Sequence, residues 1–258
     1  GSLATRVNSN GLIEPVGTLG ADVVLNGDFE EVGSDQILNG DFSQGSQDWN
    51  TNSTVSIGNG VATFDNSASG NNVQQDTIAI TSGTIYKATF EITDITDGAF
   101  TMSVGGSLGA IQHNTLGVKT EYIVGGANTS TFVRARGTTS GSISNISLEE
   151  VGQDWTLSDG VSITAQGARI TSDGAAQSVR QDGILVIGDT YEMDYEITEY
   201  VSGDIKVDSA FGTGHILKKT VGVHKFYGVA TGTNLIFVRS GVTDITIDNI
   251  KIKRLNGD

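Results

Sequence analysis

The sequence predicts an all-β chain built of two similar β-sandwich modules, and three observations lead there. Glycine is abundant at 35 residues and proline nearly absent at 1, a composition of many tight turns rather than helices. Apolar residues make up 37% of the chain and alternate with polar ones over short runs bounded by Gly, Asn and Asp. Several short phrases recur at a nearly constant spacing, the mark of an internal duplication.

The bulk properties narrow the functions. A length of 258 residues suits one large or two small domains. Asp and Glu number 30 against 15 Lys and Arg, a net charge of −15. That excludes nucleic-acid binding through phosphates, which needs a basic surface. It supplies carboxylates for hard cations such as Ca²⁺, and solubility alone accounts for it equally well. Cysteine is absent, which excludes disulfides, zinc–thiolate sites and thiol nucleophiles. No apolar run is long enough to span a membrane, and no signal peptide is visible.

In chain order, residues 1–22 form a leader with an Asn10-Gly11 turn between two short apolar pieces. Module A covers 35–150. Its expected strands are Asp35–Phe42, Ser53–Ile57, Val61–Asp65, Asn72–Ile80, Ile85–Thr93, Ala99–Gly105, Val118–Val124, Thr131–Arg136 and Ser142–Glu149. Gly58-Asn59-Gly60, Thr81-Ser82-Gly83 and Asp97-Gly98 read as turns between them. In Ile85–Thr93, alternation puts Tyr86, Ala88, Phe90 and Ile92 on one buried face.

Module B repeats the plan. Gln47-Asp48-Trp49 returns as Gln153-Asp154-Trp155, an offset of 155 − 49 = 106. Tyr86 falls on Tyr191 and Phe132-Val133-Arg134 on Phe237-Val238-Arg239, both offset by 105 (191 − 86 and 237 − 132). Ser144-Asn145-Ile146 falls on Asp248-Asn249-Ile250, offset 248 − 144 = 104. The pentapeptide LNGDF occurs at Leu25–Phe29 and Leu38–Phe42, yet module B has none directly before its Gln153-Asp154-Trp155. Glu30-Glu31-Val32-Gly33 returns as Glu149-Glu150-Val151-Gly152. Two organisations fit. In one, module A is inserted after the first strand of module B, which then comprises 23–33 plus 151–258. In the other, 23–150 and 151–258 are a simple tandem. Insertion is easy where the two ends of a loop tip are close.

LNGDF followed by Trp, many short strands and the closing Ser144–Leu148 and Asp248–Ile252 stretches resemble the carbohydrate-binding-module-like, galactose-binding-like jelly rolls. The likeness covers residues 23–256. It implies two jelly-roll sandwiches in which the first strand pairs with the last. It also implies a structural Ca²⁺ held there by acidic side chains and carbonyls: Asp28 or Glu30 with Asp248 in module B. In module A only Asp41 remains, because Ser43 and Ser144 replace the other two acids. The leader wording Ala4–Val16, ATRVNSNGLIEPV, is similar to a segment of bacteriophage tail-fibre and other virion-associated proteins.

Trp49 and Trp155 occupy equivalent places beside apolar strands; core is the reading preferred over sugar-stacking platforms. Ligand candidates lie opposite the core. Val133 and Ala135 point inward, so Phe132, Arg134 and Arg136 point outward, and the same argument exposes Arg239. Gln74, Gln75, Arg180, Gln181, Tyr122 and Tyr227 are expected on neighbouring strands. Amides, guanidiniums and aromatic rings suit saccharide hydroxyls and C–H faces. An ordinary solvated sheet face is the competing reading. His113, His215 and His224 are isolated in sequence, and nothing pairs two carboxylates for glycoside hydrolysis, so a non-enzyme is expected. The resulting expectation is a non-catalytic glycan-binding protein of a phage virion, whose partners are glycans, other virion proteins and further copies of itself. A structural fibre spacer and an accessory module of a cell-surface glycosidase are the alternatives.

Overall fold

A computed structural model describes residues 5–7, 13–15, 18–208, 210–212 and 214–256. Among them there are strands and turns and no helix. The first strands are β1 (Thr5–Val7), β2 (Ile13–Pro15) and β3 (Thr18–Asp22). Then follow β4 (Asn50–Thr51), β5 (Val55–Gly58), β6 (Val61–Ser67), β7 (Asn72–Gln75), β8 (Ile85–Val104), β9 (Ser107–Leu108), β10 (Gly117–Val124) and β11 (Thr131–Val151). The remainder are β12 (Thr156–Leu157), β13 (Val161–Thr164), β14 (Gly167–Ser172), β15 (Ser178–Gln181), β16 (Thr190–Asp208), β17 (His215–Ile216), β18 (Gly222–Val229) and β19 (Leu235–Asn256). The chain divides into two compact units. Unit 1 joins Gly1–Glu31 to Gly152–Asp258, and unit 2 is Val32–Val151.

Unit 2 is organised on β8 and β11, of 20 and 21 residues, several times the usual strand length. They pair antiparallel from Thr131↔Val104 to Val151↔Ile85. Register shifts between Arg136 and Ser147 bend the pair, as bulges do, so one ribbon serves both layers of a nearly closed, jelly-roll-like sandwich. Before the bend, β7 and β4 extend the ribbon on one side and β9 on the other. Beyond it, β6 and β5 lie on one side and β10 on the other. Phe64, Phe90, Phe100, Met102, Val133, Ile143 and Leu148 fill the interior. Tyr86, Ala88, Phe90 and Ile92 are all buried, as the alternation predicts.

Several expected boundaries change. Ile85–Thr93 and Ala99–Gly105 are one strand, as are Thr131–Arg136 and Ser142–Glu149. Gly98 is not a reversing turn. Its φ is 75°, and a Cβ there would stand 2.4 Å from the Thr138 carbonyl oxygen, so it is a bulge crossing close to its neighbour. Asn72–Ile80 stops at Gln75. In the leader β1 pairs with β2, and the Asn10-Gly11 turn expected between them lies outside the described residues.

Unit 1 repeats this frame. β16 and β19 form the long bent ribbon, β14 and β13 flank it on one side of the bend, and β15 and β12 on the other. β18 and β17 pair along β16, and β3 adds to the end of β19.

The LNGDF segments are turns rather than the first strands expected. Asn26 and Phe29 have φ of 46° and 55°, and Asn39 and Phe42 have 50° and 54°. The Asn26 side-chain oxygen accepts from the Glu31 N–H at 3.0 Å, and Asn39 does the same for Gln44 at 3.0 Å. Such local Asx bonding outcompetes a ladder. Each turn still docks along the last strand of its unit. The Ile250 N–H donates to the Gly27 carbonyl at 2.8 Å, and Ile146 to Gly40 at 3.0 Å. A Cβ on either glycine would fall 2.0 Å from the oxygen of Ile250 or Ile146, so no other residue fits.

This close approach generates a paired prediction. Gly27→Ala should destabilise unit 1 by about 2–3 kcal/mol and leave unit 2 unchanged; Gly40→Ala should do the reverse. Exchange of the indole N–H of Trp155 and of Trp49 reads the two units separately. Equal acceleration of both indoles by either substitution would refute the separation.

Candidate ligand-binding face

The turns fix the ends of the sandwiches through the two tryptophans. Trp155 Nε1 donates to the Asn26 carbonyl and Trp49 Nε1 to the Asn39 carbonyl, both at 2.9 Å. Trp155 stacks on Phe29 at 5.0 Å and Trp49 on Phe42 at 5.1 Å. Both indoles are buried and belong to the core, as expected from their place in the repeat.

Gln75 and Gln181 have a different role from the one expected. Both are buried, at 3% and 4% exposure. Gln181 clamps both backbone groups of Leu25, accepting from its N–H at 3.0 Å and donating to its carbonyl at 2.8 Å. Gln75 clamps Leu38 in the same way. They pair both backbone groups of the turn's leucine, and neither amide is left to meet a ligand.

The outward residues of β11 do come together. In register, Asn50 stands opposite Gln74, Gln74 opposite Phe132, and Phe132 opposite Ser103. In the next row Asn72, Arg134 and Thr101 are aligned. The first row crosses four strands and the second three. Ser103 and Thr101 are fully buried, so the accessible part spans β4, β7 and β11, roughly 10 Å at the usual strand spacing. Asp76 accepts from Gln74 at 2.5 Å and from Asn50 at 2.8 Å, holding both amides on this face. A depression of about 320 Å³ bordered by Trp49, Asn50 and Asp76 adjoins it. The Arg134 guanidinium lies 5.8 Å from the Phe132 ring centroid. Burial, then the charge of Arg136, pushes the Arg134 guanidinium below its ordinary pKa. The Nε atoms of Arg134 and Arg136 are shut off from water without a hydrogen-bond partner.

Unit 1 has no such pair. Val133 aligns with Val73 and Met102, while Phe237 aligns with Val179 and Val207. The true offset is therefore 237 − 133 = 104, and the repeated Phe-Val-Arg is a coincidence one residue out of register. Val238 and Ser240 stand where unit 2 has Arg134 and Arg136. Arg239 takes the place of Ala135 and alternates to the other face. Arg180 is bound to Asp182. Tyr227 donates to Glu192 at 2.7 Å, and burial with that bond pushes its pKa up to about 12. Tyr122 pairs with Lys87, at the far end of β8 from Thr101, so it does not join the Arg134 face.

The acidic residues gather at the other docking turn. Asp28 and Glu30 border an open depression of about 530 Å³ with Asn26 and Asn249. Asp248 Oδ1 is buried without a partner. Burial, with repulsion from Asp28, Glu196 and Glu30, raises the Asp248 pKa to about 6. Among the described residues no three His, Cys, Asp or Glu side chains already stand together as metal ligands. In unit 2 the Ser144 hydroxyl donates to the Gly60 carbonyl at 2.7 Å, and hydrogen bonds from Ser43 hold exposed Asp41 below the usual carboxylate range. That position is satisfied without a cation.

Two aspartates missed at the sequence level complete the turns. Asp22 Oδ1 accepts from the N–H groups of Val24 and Ile252, and Asp35 Oδ1 from those of Ile37 and Leu148. The signal was present, because both pentapeptides follow Asp at the same distance: Asp22 before Leu25 and Asp35 before Leu38.

No protein-family model and no curated protein matches the chain. Among solved structures, the tandem CBM22 domain of Xyn10C from Paenibacillus barcinonensis is 10% identical, with 93% of this chain and 100% of that one covered and a TM-score of 0.33. A Paenibacillus xanthan lyase is 15% identical over 81% of this chain and 25% of its own, with a TM-score of 0.28. AerE from Microcystis aeruginosa is 12% identical over 81% and 97%, with a TM-score of 0.16. None of the scores reaches 0.5, and the functional reading rests on this chain's own residues.

The Asp248 environment predicts a pH response. A carboxyl whose folded pKa is raised stabilises the fold below its unfolded pKa of 3.8 and loses that contribution as pH rises through about 6. In EDTA, unit 1 should therefore lose about 1–2 kcal/mol between pH 4 and 7, allowing for solvent screening. Asp248→Asn should flatten the response in thermal melts. A wild-type profile already as flat as the variant's would contradict the assigned environment.

Proposed function

We propose that the protein binds saccharides without transforming them, through the outer face of unit 2 formed by Gln74, Phe132, Arg134 and Arg136. The carrying observation is the row Asn50–Gln74–Phe132 beside Asn72–Arg134. It combines an aromatic surface for sugar C–H groups with amide and guanidinium donors for hydroxyls. The site is shallow, and such sites gain avidity from several copies. A bacteriophage virion appendage contacting host-surface or matrix glycans is the setting favoured by the leader wording of Ala4–Val16.

Unit 1 fits a structural role better. Its charged outer groups neutralise one another: Lys225 with Glu192 and Asp194, Arg254 with Asp189, and Arg169 with Asp244. Asp28, Glu30 and Asp248 are the residues that would hold a Ca²⁺ there. The unpartnered Asp248 oxygen and the mutual repulsion of these carboxylates support a hard, oxygen-seeking cation. Calcium would bring in Asp28 and Glu30, and neither residue is buried.

Two measurements test these readings. On a glycan array, Phe132→Ala should weaken every retained glycan at least roughly tenfold at a temperature where circular dichroism shows both units still folded; retention unaffected by Phe132→Ala would remove the face from the reading. Calcium should raise the unit 1 melting temperature, and EDTA or Asp248→Asn should abolish the rise. An unchanged melting temperature with calcium would refute the metal reading.

A further inference from the structure

We propose that the Phe132–Arg136 face selects anionic saccharides, carrying carboxylate or sulfate groups, over neutral ones; this deepens the glycan-binding reading and rests on it. Arg134 and Arg136 are two residues apart on one strand, so both side chains leave the same face roughly 7 Å apart. Among the described residues neither is ion-paired with a carboxylate, although the chain holds 30 acidic residues against 15 basic ones. Arg169 is neutralised by Asp244, Arg180 by Asp182 and Arg254 by Asp189, while Arg239, which stands singly in unit 1, has no carboxylate partner among the described residues. Asp76, the acid on this face, is engaged by Gln74 and Asn50.

Two like charges side by side, each with a dehydrated Nε lacking an acceptor, oppose folding unless something else compensates them. An anion bound at the Nη ends offsets the charge, while the Nε atoms stay buried. The planar guanidinium fork matches the two oxygens of a carboxylate or sulfate. Two forks on one face match acidic groups on a saccharide lying across the strands. Phe132 supplies the apolar floor beneath Arg134, and the Gln74 and Asn72 amides supply donors for hydroxyls. This combination discriminates a sugar acid from a bare anion. The net charge of −15 works against long-range attraction of a polyanion, so recognition depends on local contacts rather than on steering.

Affinity electrophoresis of the full chain tests this. The gels contain polygalacturonate, its carboxyl-reduced derivative, dextran sulfate, dextran, or polyglutamate. Retention in polygalacturonate or dextran sulfate, at least about tenfold stronger than in the matched neutral polymer, is expected. Which of the two retards the protein distinguishes carboxylate from sulfate. Arg134→Gln and Arg136→Gln should each weaken that retention several-fold without lowering the melting temperature of the free protein. Arg134→Lys, which keeps the charge and loses the fork, should also weaken it. Equal retention by neutral and anionic polymers, insensitive to the Gln substitutions, would overturn the selectivity and leave the glycan reading standing. No retention in any saccharide gel would overturn both. Retention by polyglutamate as strong as by polygalacturonate would overturn recognition of the sugar.

Discussion

The close passage of a glycine backbone over the carbonyl of a last-strand isoleucine governs both units. Gly27 over Ile250 and Gly40 over Ile146 bring the LNGDF turn into contact with the strand that closes each sandwich. Every other feature of the turn serves that approach. Asn supplies the left-handed residue and ties down the following loop. Phe supports the tryptophan, the tryptophan ring nitrogen caps the asparagine carbonyl, and a buried glutamine clamps the leucine between them. The aspartate three residues before the leucine then holds the last strand from the other side. Removing one partner strands polar groups in the interior, so these groups act as a set.

With the frame held in common, the units are free to differ on their outer faces. One register step in β19 relative to β11 exchanges Arg134 and Arg136 for Val238 and Ser240. Unit 1 carries carboxylates at its docking turn where unit 2 has Ser144 bonded to a backbone carbonyl. An unpaired positive face thus stands in one copy and an unpaired acidic end in the other, each where its counterpart is internally satisfied.

The all-β class, the doubling and the inward face of β8 were legible because they rest on alternation and on repeated words, both local. Gln75 was legible in principle: Val73 and Gln75 share a face two residues apart, and Val73 is core. Its polarity suggested a ligand, whereas its position required a backbone partner. The long strands were illegible because Gly98 punctuates a bulge with the same residue that punctuates a turn. The register of β19 was illegible because an accidental Phe-Val-Arg outweighed the spacing of Asn145 and Asn249. The orphaned guanidinium nitrogens belong to three-dimensional packing and leave no trace in spacing.

The arrangement of unit 1 also sets an order of events during synthesis. Asn26 waits for Trp155 across 129 residues, whereas Asn39 meets Trp49 across 10. If the intervening chain were flexible, that difference alone would cost about 2 kcal/mol of loop closure. The intervening chain is instead Val32–Val151, a unit with its own core. At ribosomal rates those residues take roughly 6–24 s to emerge, and during that time the Asp22 and Asn26 turn lacks its partners Ile252 and Trp155. Unit 2 is complete once Val151 has emerged, whereas unit 1 still awaits β19, so unit 2 can fold first and shorten the effective loop.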